Sequence, residues 1–286
     1  MPALITPLND DQSVNVKVLG ELLEHLIAKG ADGFYIGGAT GEGINLKTEE
    51  RMILAEESVK IVGGRKPCIV QIAAYDFNDA MRLAKHAESI GADAISATAP
   101  LFFAYDQNDI FNYYNKLASS VSIPMMAYYN PAAGFQFTAD FAARLFEIDN
   151  VTAIKWTSSN YYEMSRLKDI THGEMNIING PDEMLLMGLN AGADGGIGST
   201  YNFQLDNIKA IYENFKAGNI AKAQEYQTLA NRIIYTLLRH KVIPATKVVL
   251  EAQGFNVGYP TFPQTRFTAE EKAAIIAEFK ASGLKI

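Results

Sequence analysis

The sequence has little cysteine and no long hydrophobic run. Cys68 is the single cysteine among 286 residues, so a disulfide framework within the chain is excluded and a reducing compartment is favoured. Its apolar neighbours Ile69 and Val70 are typical of a small core residue. No apolar segment approaches the ~20 residues of a membrane-spanning helix, and the N-terminus lacks the features of a secretory signal. We therefore expect a cytoplasmic protein without a membrane segment.

Positive charge and histidine are also scarce. The chain carries 25 Lys and Arg against 32 Asp and Glu, and this net charge of −7 argues against nucleic acid or an anionic membrane as the main partner. The four histidines lack the spacing of zinc ligands, so no metal site is predicted. A Gly-x-Ser-x-Gly nucleophile elbow is absent as well, which argues against serine-hydrolase chemistry.

What the sequence does contain is a regular alternation of short, apolar, β-branched runs with longer helix-like segments. The tripeptide Gly-Ala-Asp recurs at Gly30, Gly91 and Gly192, where glycine suits the left-handed end of a helix before the next strand. Eight runs are predicted to be strands: Ala3–Leu8, Gly33–Gly38, Cys68–Ala73, Ala94–Ala99, Pro124–Asn130, Val151–Thr157, Asn176–Gly180 and Gly195–Ser199. Eight β/α units favour an α/β fold of the (β/α)8 TIM-barrel type, although counting strands does not exclude an open doubly wound sheet.

The alternation stops near Ala217. The remainder is predicted to contain helices only, over Asn219–His240, Pro244–Gln253 and Thr268–Ala281. The sequence therefore predicts a barrel over residues 1–217 and, over residues 218–286, a helical appendix packed on it.

In such barrels functional groups gather at the C-terminal ends of the strands. The loop Gly37–Glu42, with the sequence Gly-Gly-Ala-Thr-Gly-Glu, follows the second predicted strand. Its glycines allow backbone N–H groups to approach a small anion, and Thr40 adds a hydroxyl donor. The spacing fits neither a P-loop nor a dinucleotide fingerprint, so a carboxylate is a better ligand than a nucleotide. The alternative is an ordinary strand-to-helix turn.

Lys155 is the most unusual residue of the chain, because it follows the apolar run Val151–Ile154 in a predicted strand. Burial there disfavours the charged ammonium, and a neutral amine can attack a ketone to form a Schiff base. The alternative is a lysine whose ammonium reaches solvent beyond the strand end. Thr157 lies two residues further on, on the same side of the strand.

Two other strand ends carry polar groups. Tyr128 and Tyr129 are adjacent, so strand alternation sends only one of them inward. Asp182 and Glu183 follow Gly180 and Pro181, where they either cap the next helix or accept hydrogen bonds from a polyhydroxylated substrate.

Together these motifs resemble the pyruvate-dependent class I aldolase family that includes N-acetylneuraminate lyase and dihydrodipicolinate synthase. The resemblance runs along nearly the whole chain, and Gly192–Asn202 is similar to the lyase subgroup in particular. It implies that Lys155 forms the Schiff base, that Tyr129 moves protons and that Thr40 binds the pyruvate carboxylate beside Ala39. The positions that it implies for binding the sugar chain are Thr157, Gly180, Asp182, Glu183 and Ser199.

The resemblance implies reversible cleavage of N-acetylneuraminate to N-acetylmannosamine and pyruvate by a homotetramer, without a cofactor because Lys155 supplies the electron sink. Pro131–Thr138 contains no arginine or lysine, whereas the synthases place an arginine there. Two positions depart from the lyases, which carry serine in place of Ala39 and tyrosine in place of Phe102. Tyr105 offers a hydroxyl nearby. The alternatives are an aldolase for another 2-keto-3-deoxy acid, and a barrel that binds pyruvate or sialic acid with impaired catalysis.

Overall fold

The computed structural model describes residues 1–286 and is built around one parallel sheet of seven strands, whose order in space follows the chain. The strands are β1 Phe34–Ile36, β2 Cys68–Gln71, β3 Ala94–Thr98, β4 Met125–Tyr129, β5 Val151–Trp156, β6 Asn176–Asn179 and β7 Gly195–Gly196. The helices that alternate with them are α1 Val16–Ala28, α2 Thr48–Val62, α3 Phe77–Ser89, α4 Gln107–Ala118, α5 Ala139–Phe146, α6 Tyr161–Ile170, α7 Leu185–Asn190 and α8 Tyr201–Lys216. This alternation confirms the predicted α/β class and gives a TIM-barrel-like arrangement.

The predicted first strand, Ala3–Leu8, does not form as a strand. Only its beginning pairs with the sheet: the Ala3 N–H donates to the Gly198 carbonyl (2.9 Å) and the Leu4 N–H to the Tyr35 carbonyl (2.8 Å). From residue 5 onward the main-chain groups bond to side chains and loops outside the sheet, which ends the pairing. The segment therefore lies between β7 and β1 without adding a regular strand.

The helices follow from local sequence signals. In α1, Leu19, Leu22 and Leu26 recur at helical spacing and are buried. Asn15 begins this helix by accepting a hydrogen bond from the Val18 N–H, which satisfies one of the free donors of the first turn.

Three further helices follow the α/β region: α9 Ile220–Leu238, α10 Val242–Ala252 and α11 Ala269–Ala281. Their bounds agree closely with the helices predicted from the sequence. Ile233 in α9, Val249 in α10 and Phe279 in α11 are buried in the same hydrophobic cluster as Leu19 of α1 and Phe34 of β1. None of the helices combines the length and hydropathy needed to cross a bilayer.

The two faces of the sheet have different partners, and this decides which side chains can meet. One small buried cluster contains Ala3, Tyr35, Met126, Tyr128 and Ile197. Tyr129 and Trp156 instead belong to the large cluster that the strands share with helices α3–α6. Because neighbouring residues of a strand point to opposite faces, Tyr128 and Tyr129 lie on different sides of β4.

Candidate functional site

The loop between β1 and α2 is held in a tight conformation that requires glycine. Gly37 adopts a left-handed backbone conformation, with φ of +71°. A Cβ atom at Gly43 would lie 1.9 Å from the Gly37 carbonyl oxygen, and one at Gly38 would lie 2.5 Å from the Tyr35 ring. These clashes explain why the sequence repeats glycine here.

The two predicted carboxylate-binding residues of this loop differ in exposure. Thr40 is buried, whereas Ala39 is exposed and carries no polar side-chain atom. The hydroxyl donor of this loop is therefore Thr40, and any contribution of Ala39 comes from its backbone.

Glu42, the last residue of the predicted motif, anchors the loop. It is buried and left-handed, with φ of 58°. Its carboxylate accepts hydrogen bonds from the Thr261 N–H and hydroxyl (both 2.7 Å) and from the Gln264 side chain. The Lys247 ammonium lies 3.3 Å from its other oxygen, so the negative charge is neutralised from the side of α10.

Lys155 lies in β5 with only 6% of its surface exposed. Most of the side chain is therefore buried in the strand. Its Nζ lies 4.4 Å from the centre of the Tyr128 ring and 4.8 Å from that of Tyr35, within the range of cation–π attraction. Lys155 takes part in none of the ion pairs of the chain.

The structure brings Tyr128, not Tyr129, to Lys155. Tyr128 is directly opposite Lys155 in the β4–β5 pairing, and its ring faces the amine. Tyr129 points to the other face, where its ring stacks on Phe137 at 4.8 Å and its hydroxyl donates to Gln136 (2.9 Å). The geometry contradicts the assignment of the proton-moving role to Tyr129, because the pairing register gives the inward position to its neighbour.

Asp182 is the most constrained acidic group of the region. It is buried, and its carboxylate accepts hydrogen bonds from the Thr200 N–H (2.7 Å) and hydroxyl (2.6 Å). Burial raises the pKa of Asp182 to about 6, while the Thr200 hydrogen bonds and the positive charge of Lys155 act in the opposite direction. The neighbouring Glu183 is exposed.

A cavity of about 500 Å³ brings the predicted sugar-binding positions together. Thr157, Gly180, Asp182, Glu183 and Ser199 all line it. An apolar part of its wall comes from the C-terminal region, with Ile234, Leu237, Leu238 and Val242. Lys155, Tyr128 and Thr40 are not part of this lining, so the cavity begins beyond the amine, at the strand end that carries Thr157.

Gly180 allows two strand ends to approach each other inside this cavity. A Cβ atom at Gly180 would lie 1.9 Å from the Thr157 hydroxyl oxygen. That hydroxyl is buried without a hydrogen-bond partner in the chain, which leaves it available to a ligand. No cluster of three or more His, Cys, Asp or Glu side chains has the geometry of a metal site.

Sequence reasoning gave no role to three residues that contact this region. Tyr35 and Tyr128 face the Lys155 amine, and only the register between strands could have identified them. Lys247 approaches Glu42 from a helix that is distant in sequence, and no local pattern indicates this contact.

Comparison with known proteins gives a consistent result. The sequence profile of the dihydrodipicolinate synthetase family matches residues 1–282. The chain is 32% identical over 273 residues to N-acetylneuraminate lyase of Rhizobium meliloti (strain 1021), covering 96% of this chain and 91% of that protein. It is 33% identical over 275 residues to the protein of that name from Clostridium perfringens (strain SM101 / Type A), covering 95% of each.

Solved structures agree with these sequence relatives. The structure of Proteus mirabilis N-acetylneuraminate lyase aligns with a TM-score of 0.94 at 32% identity, over 99% of this chain and 98% of that one. A dihydrodipicolinate synthase from Bacillus anthracis aligns with a TM-score of 0.93 at 26% identity, over 98% of this chain and 96% of that one.

Proposed function

The chain belongs to the dihydrodipicolinate synthetase family, and from that membership we propose that it reversibly cleaves N-acetylneuraminate to N-acetylmannosamine and pyruvate through a lysine Schiff base. Similar proteins matched over nearly their whole length are named N-acetylneuraminate lyase. The observation that carries the proposal is the buried Lys155, which faces Tyr128 and lies two residues before the cavity lined by Thr157 and Asp182.

The proposed reaction begins when the neutral Lys155 amine attacks the C2 ketone of the open-chain sugar acid. Loss of water, with a proton supplied by the Tyr128 hydroxyl, gives a protonated imine, which takes up the electron pair of the C3–C4 bond as that bond breaks. The Tyr128 phenolate left by that transfer accepts the proton of the C4 hydroxyl, so that C4 leaves as the aldehyde of N-acetylmannosamine. Tyr128 then protonates the resulting enamine at C3, and hydrolysis releases pyruvate, regenerates the lysine and returns the proton to Tyr128.

The loop after β1 would bind the substrate carboxylate. Thr40 offers a hydroxyl, and the glycine-rich backbone offers N–H donors. Because Lys247 neutralises Glu42, the loop presents no unpaired negative charge to an anionic ligand. This arrangement supports a carboxylate as the group that the loop receives.

The sugar chain would occupy the cavity beyond Lys155. Its hydroxyl groups would meet acceptors and donors from three strand ends, contributed by Thr157, Gly180, Asp182, Glu183 and Ser199. Two adjacent carboxylates accept hydrogen bonds from hydroxyl groups, which favours a polyhydroxylated substrate over a simple keto acid.

We also propose that the sheet closes into a barrel and that the C-terminal helices form an appendix to it. The bridges of Pro2 to Gly198 and of Ala3 to Tyr35 support a closed (β/α)8 barrel over residues 1–217, with residues 218–286 as its helical appendix. The homotetramer expected from the family resemblance stays a proposal, and light scattering of the purified protein tests it.

Trapping with borohydride tests the chemistry directly. Reduction in the presence of pyruvate should give a covalent adduct on Lys155, detected by mass spectrometry, and Lys155→Met should abolish it. If no adduct forms on Lys155 in the unchanged protein, the Schiff-base proposal fails.

The choice of tyrosine is tested by a matched pair of variants. Tyr128→Phe should lower kcat for pyruvate release from N-acetylneuraminate by about 10²- to 10⁴-fold, the usual contribution of a proton-transfer group. Tyr129→Phe should change it much less, because its hydroxyl bonds to Gln136 on the other face of β4.

Substrate choice is tested on the same preparation. If a different 2-keto-3-deoxy acid is cleaved faster than N-acetylneuraminate, that acid is the substrate instead. An adduct without cleavage of any such acid would favour a pyruvate-binding barrel with impaired catalysis, for which the missing hydroxyls at Ala39 and Phe102 are the structural reason.

A further inference from the structure

Two amide side chains of α9 hold the main chain of the turn that carries Asp182 and Glu183. Gln227 is buried, and its Nε2 donates to the Asp182 carbonyl (3.2 Å). Its Oε1 accepts a hydrogen bond from the Leu186 N–H (2.9 Å). One glutamine thus joins the start of the turn to the beginning of α7, from a helix more than 40 residues away in sequence.

Asn231, one helical turn further along α9, completes this contact. Its Nδ2 donates to the Glu183 carbonyl (3.0 Å), and its Oδ1 accepts a hydrogen bond from the Gln227 Nε2 (2.8 Å). The two amides therefore form one connected network with consecutive carbonyls of the turn. Such networks fix the groups they join more firmly than separate hydrogen bonds do.

Besides the α9 amides, two side chains hold the main chain here: Asn179 donates to the Pro181 carbonyl (2.7 Å), and the Tyr161 hydroxyl donates to the Met184 carbonyl (3.3 Å). The segment is a single 3₁₀ turn over Asp182–Met184, and it begins at Pro181 without a side-chain cap. The space around it is also narrow, since a Cβ atom at Gly198 would lie 1.9 Å from the Asp182 Oδ1. A small displacement of the turn would therefore move both carboxylates relative to the cavity.

We propose that Gln227 and Asn231 are positioning residues that set substrate specificity. They keep Asp182 and Glu183 at the spacing that the hydroxylated chain of the substrate requires, without lining the cavity themselves. This inference rests on the proposed function. It assigns selectivity for the sugar chain to the C-terminal helices, and it leaves imine formation to Lys155 in the barrel.

The test compares two substrates in the full-length protein. One is N-acetylneuraminate, and the other is a 4-hydroxy-2-oxo acid without further hydroxyl groups. Gln227→Leu should lower kcat/KM for N-acetylneuraminate by about 10- to 100-fold, mainly through KM, since misplacement by about 1 Å has effects of this size. The kcat/KM for the short acid should change by less than about 3-fold. The borohydride-trapped pyruvate adduct on Lys155 should still form.

The matched control is Gln224→Leu, the same substitution one turn earlier on α9 at an exposed residue that does not contact the turn. This control variant should have the same kcat/KM as the unchanged protein for both substrates. If Gln227→Leu does not fold, Asn231→Asp provides the measurement, because it keeps the acceptor for Gln227 and replaces the donor to the Glu183 carbonyl with a carboxylate oxygen that repels it.

If Gln227→Leu lowers kcat/KM equally for both substrates, or for neither, the positioning role is overturned. Failure of the unchanged protein to form a pyruvate adduct would instead overturn the proposed function. An adduct combined with unaltered selectivity in the variants would overturn this inference alone.

Discussion

Two buried lysines in this protein have opposite surroundings. Lys247, in α10, is 2% exposed and donates hydrogen bonds to the carbonyls of Thr6 and Tyr259 (both 2.9 Å), with Glu42 at ion-pair distance. Lys155, in β5, is 6% exposed, forms no ion pair and faces two aromatic rings. Similar burial therefore accompanies very different sets of partners.

On the proposed assignment of Lys155 as the Schiff-base residue, partners rather than burial separate it from the structural Lys247. Burial lowers the pKa of Lys247, but Glu42 opposes this effect, and the neighbouring carbonyls bind the ammonium form. An amine whose hydrogens are all engaged is not available as a nucleophile. Lys155 has no such acceptors, so its lone pair is available once the proton is lost.

Removal of the structural lysine should have the largest effect on stability. Lys247→Met leaves the Glu42 carboxylate buried without its counter-charge, and breaking a buried pair in this way costs about 3–5 kcal/mol of unfolding free energy. Urea denaturation measures this loss. Lys155→Met should cost far less stability, because it leaves no charge unpaired.

A double variant separates charge from packing. Glu42→Gln combined with Lys247→Met removes both charges and should recover much of the lost stability. A loss below about 1 kcal/mol in Lys247→Met, or no recovery in the double variant, would contradict the role of this ion pair as an anchor of the loop.

The contribution of Asp182 to stability depends on pH and should be smaller than that of the Lys247–Glu42 pair. Burial raises its pKa from the usual ~3.9 to about 6, so between these values the folded state binds a proton that the unfolded state releases. Stability from this group is therefore present at low pH and falls as pH rises through the window, by up to about 3 kcal/mol. Above about pH 6 the contribution is constant.

The measurement is the unfolding free energy of the unchanged protein and of Asp182→Asn at pH 4 and pH 7. The unchanged protein should lose stability relative to the variant as pH rises. Parallel pH curves for the two proteins would show that Asp182 is not desolvated in the folded state.

Much of the fold could be predicted because the signals are local. Seven of the eight apolar runs predicted as strands form strands, and the three C-terminal helices form with boundaries within about two residues of the prediction. The prediction of a strand over Ala3–Leu8 is wrong. Its apolar character does not reveal that the Thr6 carbonyl binds Lys247, which is 241 residues away.

The candidate site could be predicted only in part, for the same reason. Strand alternation requires one of Tyr128 and Tyr129 to point inward, but the choice depends on the register with Lys155 on the next strand. Gln227 and Lys247 occupy ordinary positions in amphipathic helices. Their roles depend on how those helices pack against the strand ends, and no pattern within either helix encodes this.

The smallest expected effect concerns the aromatic faces around Lys155. Cation–π attraction of about 0.5–2 kcal/mol from the Tyr35 ring favours the positively charged imine over its neutral precursor. Tyr35→Leu should therefore weaken formation of the borohydride-trapped pyruvate adduct by roughly 2- to 30-fold, measured as the pyruvate concentration that gives half-maximal adduct. Tyr35→Phe keeps the ring and loses only the hydrogen bond to Ser96 (3.2 Å), so it should retain most of the adduct. Equal losses in the two variants would assign the effect to the hydroxyl, and the contrast between the two lysines would then depend on Tyr128 alone.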